Sequence, residues 1–143
     1  MDVSFLVARL QGQLAGAGLK AIGSSADLDT AIAGALATPS VYVIPMGESA
    51  EPSALLSETV QRETHEFGVI SVVANRRDVS GKASLDDLVP IRAAIKAALV
   101  GWAPYVETGE AMLFRSGRLL RFEEGRIWWT DLFAVRTYYH APY

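Results

Sequence analysis

The sequence predicts a single α/β (α+β) domain in which two or three helices pack on a mixed or antiparallel sheet of about four to six strands. Apolar side chains recur at three- and four-residue steps in separate segments, which is typical of amphipathic helices. Runs rich in β-branched and aromatic residues lie between and after those segments, which is typical of strands. Because the chain has 143 residues, half of them apolar and a fifth charged, we assign residues 1–143 to one folded domain.

The N-terminal part is predicted to form two helices and a short strand. The first helix covers residues 3–15, and two glycines, Gly16 and Gly18, end it. A short strand at 19–22 leads to an Ala-rich second helix at 28–36. The apolar stripe of the first helix consists of Val3, Leu6, Leu10 and Leu14.

The middle of the chain is predicted to contain an interior strand, a loop and a long strand. The interior strand at 41–44 is β-branched and closed by Pro45. Residues 46–56 are rich in Gly, Pro, Ser and Glu, so we expect a mobile loop there. The long strand at 60–74 is polar up to residue 66 and nearly all apolar beyond it. Its polar half is therefore expected to project past the core, and a projecting edge needs a partner.

A third helix is predicted after a loop at 75–81. Asp86 or Asp87 would cap it, and Pro90 would then fall in its first turn. Arg92 and Lys96 lie outside its apolar stripe, and Gly101 ends it. The stripe, together with the tryptophan that closes the end of the helix, forms the first set of predicted core residues: Leu88, Ile91, Ile95, Leu99 and Trp102.

The C-terminal third is predicted to form an antiparallel meander. Its elements are a strand at 112–115, a Ser116–Gly117 turn, a strand at 118–122, a Glu124–Gly125 turn and a final strand at 126–140. Alternation along the final strand separates its aromatic residues into two rows. We expect Trp129 and Phe133 in the core, and Trp128 and Tyr138 at an interface with another chain.

No catalytic or metal-binding pattern is found in the sequence. His65 and His140 have no second ligand at a recognisable metal spacing, and the chain has no cysteine for a thiol nucleophile. The acidic pairs are explained as helix caps or solvated turn residues. We therefore predict neither an enzyme nor a cofactor.

Asp131 interrupts an apolar strand, and a buried carboxylate there would need a partner. We favour a bulge or a strand end that reaches solvent. The alternative is an ion pair across a subunit boundary, with Arg76 or Arg77 as the cation.

The bulk composition narrows the class of protein. The formal net charge is −3 with no basic run, which argues against specific nucleic-acid recognition. The absence of cysteine fits assembly in a reducing compartment. The apolar runs are shorter than the about 18 residues of a membrane span, and no signal-peptide pattern is present.

Taken in order, several features resemble the phage tail terminator family, which includes the minor tail protein U type of long-tailed phages and prophages. The most specific ones are the helix that ends in Gly101–Trp102–Ala103–Pro104 and the closing strand with Trp129, Asp131 and Phe133. The opening amphipathic helix and the strand that ends in Pro45 also match.

The resemblance implies a virion structural protein, assembled in the host cytoplasm. It implies a ring of this chain, expected to be a hexamer, on the head-proximal end of the tail tube. Such a ring ends tube polymerisation and joins the head, so its partners would be itself, the tail tube protein and the head–tail connector (stopper) protein, with DNA passing through the ring.

The polar half-strand and the following loop are the expected subunit boundary, since projecting charges can set the register of a ring. The candidate interface residues are Arg62, Glu63, His65, Arg76, Arg77, Asp78, Trp128 and Tyr138. Two other functions stay open from the sequence. One is a head–tail connector or head-completion protein of the same particle, and the other is a small ligand-binding or enzymatic α/β domain.

Overall fold

The structure, a computed structural model, describes residues 2–34, 36–53, 55, 57–74, 82–105, 109–123 and 125–141. Within them, one five-stranded sheet has the order β1-β2-β3-β5-β4. The first two strands are parallel and all other neighbours are antiparallel, so the sheet is mixed and the predicted fold class is confirmed. The elements are α1 (Ser4–Gln13), β1 (Ala21–Ser24), α2 (Ser25–Ala33), β2 (Ser40–Ala50), β3 (Thr59–Ala74), α3 (Lys82–Leu99), β4 (Leu113–Glu123) and β5 (Arg126–Ala141).

The main core lies between one face of the sheet and the helices α1 and α3. The stripes predicted for both helices point into it, with Leu6, Leu10, Ile95 and Leu99 fully buried. They meet alternate residues of β2, β3 and β5, which face the same side of the sheet because side chains alternate along a strand. Phe133 is likewise fully buried, as expected.

Helix α3 begins earlier than the sequence suggested. It starts at Lys82, so Asp86 and Asp87 lie within the helix and not at its N-cap position, and Pro90 is an interior residue. Proline removes one backbone donor and crowds the preceding turn, but Pro90 is on the exposed side of the helix. Water can therefore satisfy the carbonyl that proline leaves without its helical partner.

The end of α3 is fixed by Gly101 and Trp102. Gly101 adopts φ +85°, a left-handed conformation that favours glycine. The Trp102 N–H donates to the Leu99 carbonyl at 3.1 Å, and the Trp102 carbonyl accepts the Met112 N–H at 2.7 Å. The indole is half-buried against the core, and the Arg9 guanidinium lies 4.9 Å from its centroid.

We predict that Trp102→Ala lowers the free energy of unfolding by about 2 kcal/mol, less than a fully buried tryptophan would cost. Urea titration of the two proteins tests this. An unchanged midpoint would mean that the indole contributes little to closing the core and is available to a partner.

A smaller core covers part of the opposite face, under α2. It contains Leu28, Leu36, Tyr42 and Trp128, together with two residues of β3. Trp128 is only 7% exposed, and the Arg121 guanidinium lies 5.1 Å from its centroid. Most of this indole is therefore covered by its own chain, so the sequence-based interface assignment overestimated its exposed surface.

Asp27 caps α2. Its carboxylate accepts the Ser24 N–H at 2.8 Å and the Ser24 hydroxyl at 3.0 Å. Both bonds lower the pKa of Asp27, the backbone bond contributing more. The predicted start of this helix at residue 28 was wrong, since the cap forms one turn earlier.

We predict that Asp27→Ala lowers the thermal midpoint at neutral pH and that the difference from the parent shrinks in acid. A carboxyl group with a lowered folded pKa stabilises the fold above its unfolded value of 3.8, and it loses that effect as pH falls through the folded value. Thermal melts of both proteins between pH 7 and 3 measure this, and a difference that stays constant across the range would contradict it.

Part of a predicted loop and one predicted turn are strand instead. Residues 46–50 continue β2 past a bulge at Met46, and they pair with β3 from Gly47↔Glu66 to Ala50↔Glu63. Strand β4 runs unbroken through Ser116 and Gly117, with bulges in place of a turn. The turn between β4 and β5 does include Gly125, at φ +70°.

Candidate assembly surface

The polar half of β3 is the middle strand of a three-stranded projection, which we call the arm. The arm consists of residues 47–50, 59–66 and 134–141. Thr59 to Glu66 pair with β5 along their whole length, and Glu63 to Glu66 also pair with β2. The strand is as long as predicted, but its polar half exposes no free edge over those four residues. The prediction that this edge needs a covering partner is therefore wrong for Glu63 to Glu66, because β2 covers the edge there.

His65 lies at the base of the arm between two carboxylates. Its Nε2 is 3.2 Å from Glu63 Oε2 and its Nδ1 is 3.4 Å from Glu48 Oε1. The imidazole also lies 6.0 Å from the Tyr105 ring. Burial raises the pKa of Tyr105, and the negative charges of Glu48 and Glu63 raise it further. The cluster therefore places side chains of β2 and β3 next to Tyr105, in the segment that follows α3.

The rest of the arm exposes charged and aromatic groups. Arg62 lies 3.7 Å from Glu110, and its guanidinium is 6.0 Å from the centroid of the Tyr138 ring. Tyr138 is 45% exposed and Tyr139 is 57% exposed. His140 Nε2 lies 2.8 Å from Glu58 Oε2. Such a mixture of tyrosines and ion pairs is common at protein contacts.

The structure brings some of the sequence-predicted interface residues together. Arg62, Glu63, His65 and Tyr138 all lie on the arm. Trp128 lies apart from them under α2. Arg76, Arg77 and Asp78 lie outside the described residues. No group of three or more potential metal-ligating side chains is found in the part of the chain that the structure describes.

Asp131 is fully buried and its partner comes from the same chain. Arg92 of α3 donates to it from Nη2 at 2.8 Å and from Nε at 3.1 Å, and Trp129 Nε1 donates at 3.1 Å. The guanidinium also lies 4.4 Å from the Trp129 ring centroid. Both sequence-based readings of Asp131, a strand end in solvent and a pair with another subunit, were therefore wrong. The pair fixes α3 on the sheet.

The edge strand β4 is a surface that sequence reasoning missed. Among the described residues, β4 pairs only with β5, so its other edge is free. Four large apolar side chains on it are at least 40% exposed, and three arginines accompany them. The apolar set is Leu113, Leu119, Leu120 and Phe122, and the arginines are Arg115, Arg118 and Arg121. The signal in the sequence was this set of three arginines interspersed with large apolar residues, which the assumed turn at Ser116–Gly117 obscured.

An α/β domain with a projecting polar arm and a free apolar edge strand is a protein whose prominent surfaces suit protein contacts. The family model for the phage tail terminator protein matches residues 1–141. The chain therefore belongs to the phage tail terminator family, as the sequence features predicted, and it is a structural component of a phage tail that resides in the virion.

The other comparisons are weaker. No curated protein matches the chain. Among solved structures, it is similar to a chain from the virion of a native gene transfer agent (GTA) particle. The two are 19% identical, the match covers 92% of each chain, and the TM-score is 0.46. Within the described residues, no helix is long and apolar enough to cross a membrane.

Proposed function

We propose that this protein forms a closed ring, a hexamer, on the head-proximal end of the tail tube. There it ends tube polymerisation and presents the surface that joins the head–tail connector, and DNA passes through the ring. The family match over residues 1–141 carries this proposal. It also favours a terminator over a connector or head-completion protein. The role is structural, with no catalysis and no cofactor.

The distribution of surfaces supports a ring. Rotational closure requires a head-to-tail contact between two different patches of each subunit. The arm, at the ends of three strands, and the free edge of β4 are two such patches. They differ in charge, since the arm with its flanking Glu51 and Glu58 carries five glutamates and two arginines, whereas β4 carries three arginines and one glutamate.

We further propose that residues 62–66 and the segment 75–78 lie at or near the subunit boundary. Reversing the charge of both Arg76 and Arg77 is then expected to weaken ring formation while the monomer stays folded. Sedimentation of the doubly reversed protein tests this, with circular dichroism as the folding control. Assembly equal to that of the parent would remove this segment from the boundary.

Tail length is the direct test of the terminator role. In a phage that lacks this protein, tubes are expected to grow beyond their normal length and to remain unjoined to heads. Supplying the protein in trans should restore both properties, and electron microscopy measures them. Tails of normal length that fail to join heads would instead indicate a connector. Negative-stain images and the solution mass of the purified protein test the ring itself.

A further inference from the structure

Besides the outer edge of β1 and residues 59–62 of β3, two strand edges have no neighbouring strand among the described residues, and these two lie on opposite sides of the sheet. One is the outer edge of β4. The other is the distal part of β2, because β1 covers β2 only from Ser40 to Val43. Residues 45–50 of β2 are all exposed. Unpaired strand edges are templates for pairing with another chain.

Bulges reduce both edges to regular runs of the same length. In β4 the register shifts between Phe114 and Ser116 and again between Leu119 and Arg121, which leaves 116–119 regular. In β2 it shifts between Pro45 and Gly47, which leaves 47–50 regular. Each run has four residues, as many as the β1–β2 ladder inside the chain. Bulges often protect edges from pairing, but here they leave two matching segments.

The two runs also complement each other chemically. Exposed Arg115 directly precedes the β4 run, and exposed Glu51 directly follows the β2 run. Antiparallel pairing that sets Ser116 opposite Ser49 brings Arg115 and Glu51 next to each other. Arg115 also lines a cleft beside Thr64, which lies on the same face of the sheet as Ser49 and Glu51. Opposite charges across an interface select the partner and its register.

The directions and heights of the strands fit a rotational repeat. Within the sheet, β4 runs antiparallel to β2, since three antiparallel steps separate them. Rotation about an axis roughly parallel to the strands leaves the strand directions unchanged. The β4 of one copy is therefore also antiparallel to the β2 of the next copy. Ser116 lies opposite Leu132, whereas Ser49 lies at the height of Arg136, four residues further along β5. Along the strand direction that offset is about 13 Å, and four strand spacings, about 19 Å, separate equivalent strands of neighbouring copies. The two lengths together give a strand tilt of roughly 35° relative to the ring axis, which is usual in closed sheets.

We propose that the β4 edge of one copy pairs antiparallel with residues 47–50 of β2 in the next copy, so that neighbouring sheets join edge to edge. This inference rests on the proposed ring and identifies the contact that closes it. The partner is therefore a second copy of this chain. Each copy pairs its β4 edge with one neighbour and residues 47–50 of its β2 with the other neighbour.

Engineered disulfides test the pairing, because the chain has no cysteine. Ser116 and Ser49 are exposed and lie on the same face of the sheet. Within one chain they are separated by three strand spacings, about 14 Å, which is too far for a disulfide. The variant that carries both Ser49→Cys and Ser116→Cys should therefore form bonds only between copies.

After oxidation, this double variant is expected to give a ladder of covalent species that ends at the size of the ring on a non-reducing gel. Each single variant should give nothing larger than a dimer. The matched control combines Ser116→Cys with Ala97→Cys, which is exposed on α3, and should give no ladder. Rings of normal mass without a ladder would overturn the pairing but leave the ring standing. A parent protein that stays monomeric at every concentration would overturn both.

A charge variant provides a second readout that needs no cross-link. Arg115→Glu is expected to raise the concentration for half-assembly at least about tenfold, since it places like charges near Glu51 of the neighbour. Arg115→Lys keeps the charge and should assemble like the parent. Unchanged assembly of Arg115→Glu in sedimentation would overturn the proposed contact.

Discussion

Replacing Arg92 with leucine is expected to lower the free energy of unfolding by about 3–5 kcal/mol, because it leaves a buried carboxylate without its cation. Asp131 has no exposed surface, and Arg92 supplies three of its hydrogen bonds, at 2.8, 3.1 and 3.2 Å. Trp129 Nε1 would remain as a donor but carries no charge. Urea unfolding of the parent and the variant measures the loss.

Two further variants separate the ion pair from simple packing. Arg92→Lys keeps the charge but loses the two-pronged geometry, so an intermediate loss is expected. Replacing both partners, Arg92→Met with Asp131→Leu, removes the buried charge altogether and should recover much of the stability. If Arg92→Leu alone costs less than about 1 kcal/mol, the carboxylate must reach water or another donor, and the pair would not be a structural contact.

The helix stripes and the apolar half of β3 could be read from the sequence because burial imposes a period on them. Leu88, Ile91, Ile95 and Leu99 recur at helical spacing, and all four lie in the core. Arg92 lies next to that stripe, and a residue beside a stripe is normally solvated. Its pairing with Asp131 across 39 residues depends on how α3 crosses the sheet, which no local pattern encodes.

The continuation of β2 was missed for a related reason. Residues 46–50 are exposed and carry no alternation of apolar and polar side chains, so their composition is that of a loop. What makes them a strand is backbone pairing with Glu63 to Glu66. Because the polar half of β3 is covered over those residues, the long exposed edges of the sheet are found elsewhere, on β2 itself and on β4, beside the short outer edge of β1. The sequence thus located the projection but not the edges available to a neighbour.

Gly117→Ala is expected to cost about 3 kcal/mol, at the upper end for adding one methyl group to a packed site. A Cβ at Gly117 would lie 2.5 Å from Asp131 Oδ1 and 2.7 Å from Arg92 Nη2. It would also lie 3.1 Å from Trp129 Nε1. The methyl group cannot enter unless the buried ion pair shifts, so the substitution both crowds the site and lengthens its strongest hydrogen bonds.

Gly47→Ala is the matched control, since it is also a strand glycine but has no atom within 4 Å of the added Cβ. It should change the free energy of unfolding by less than about 1 kcal/mol. Combining Gly117→Ala with the Arg92→Met and Asp131→Leu pair should cost less than Gly117→Ala alone, because the charged groups that the methyl group displaces are gone. Equal costs in both backgrounds would mean that Gly117 is needed for the backbone path of β4 rather than for the ion pair above it.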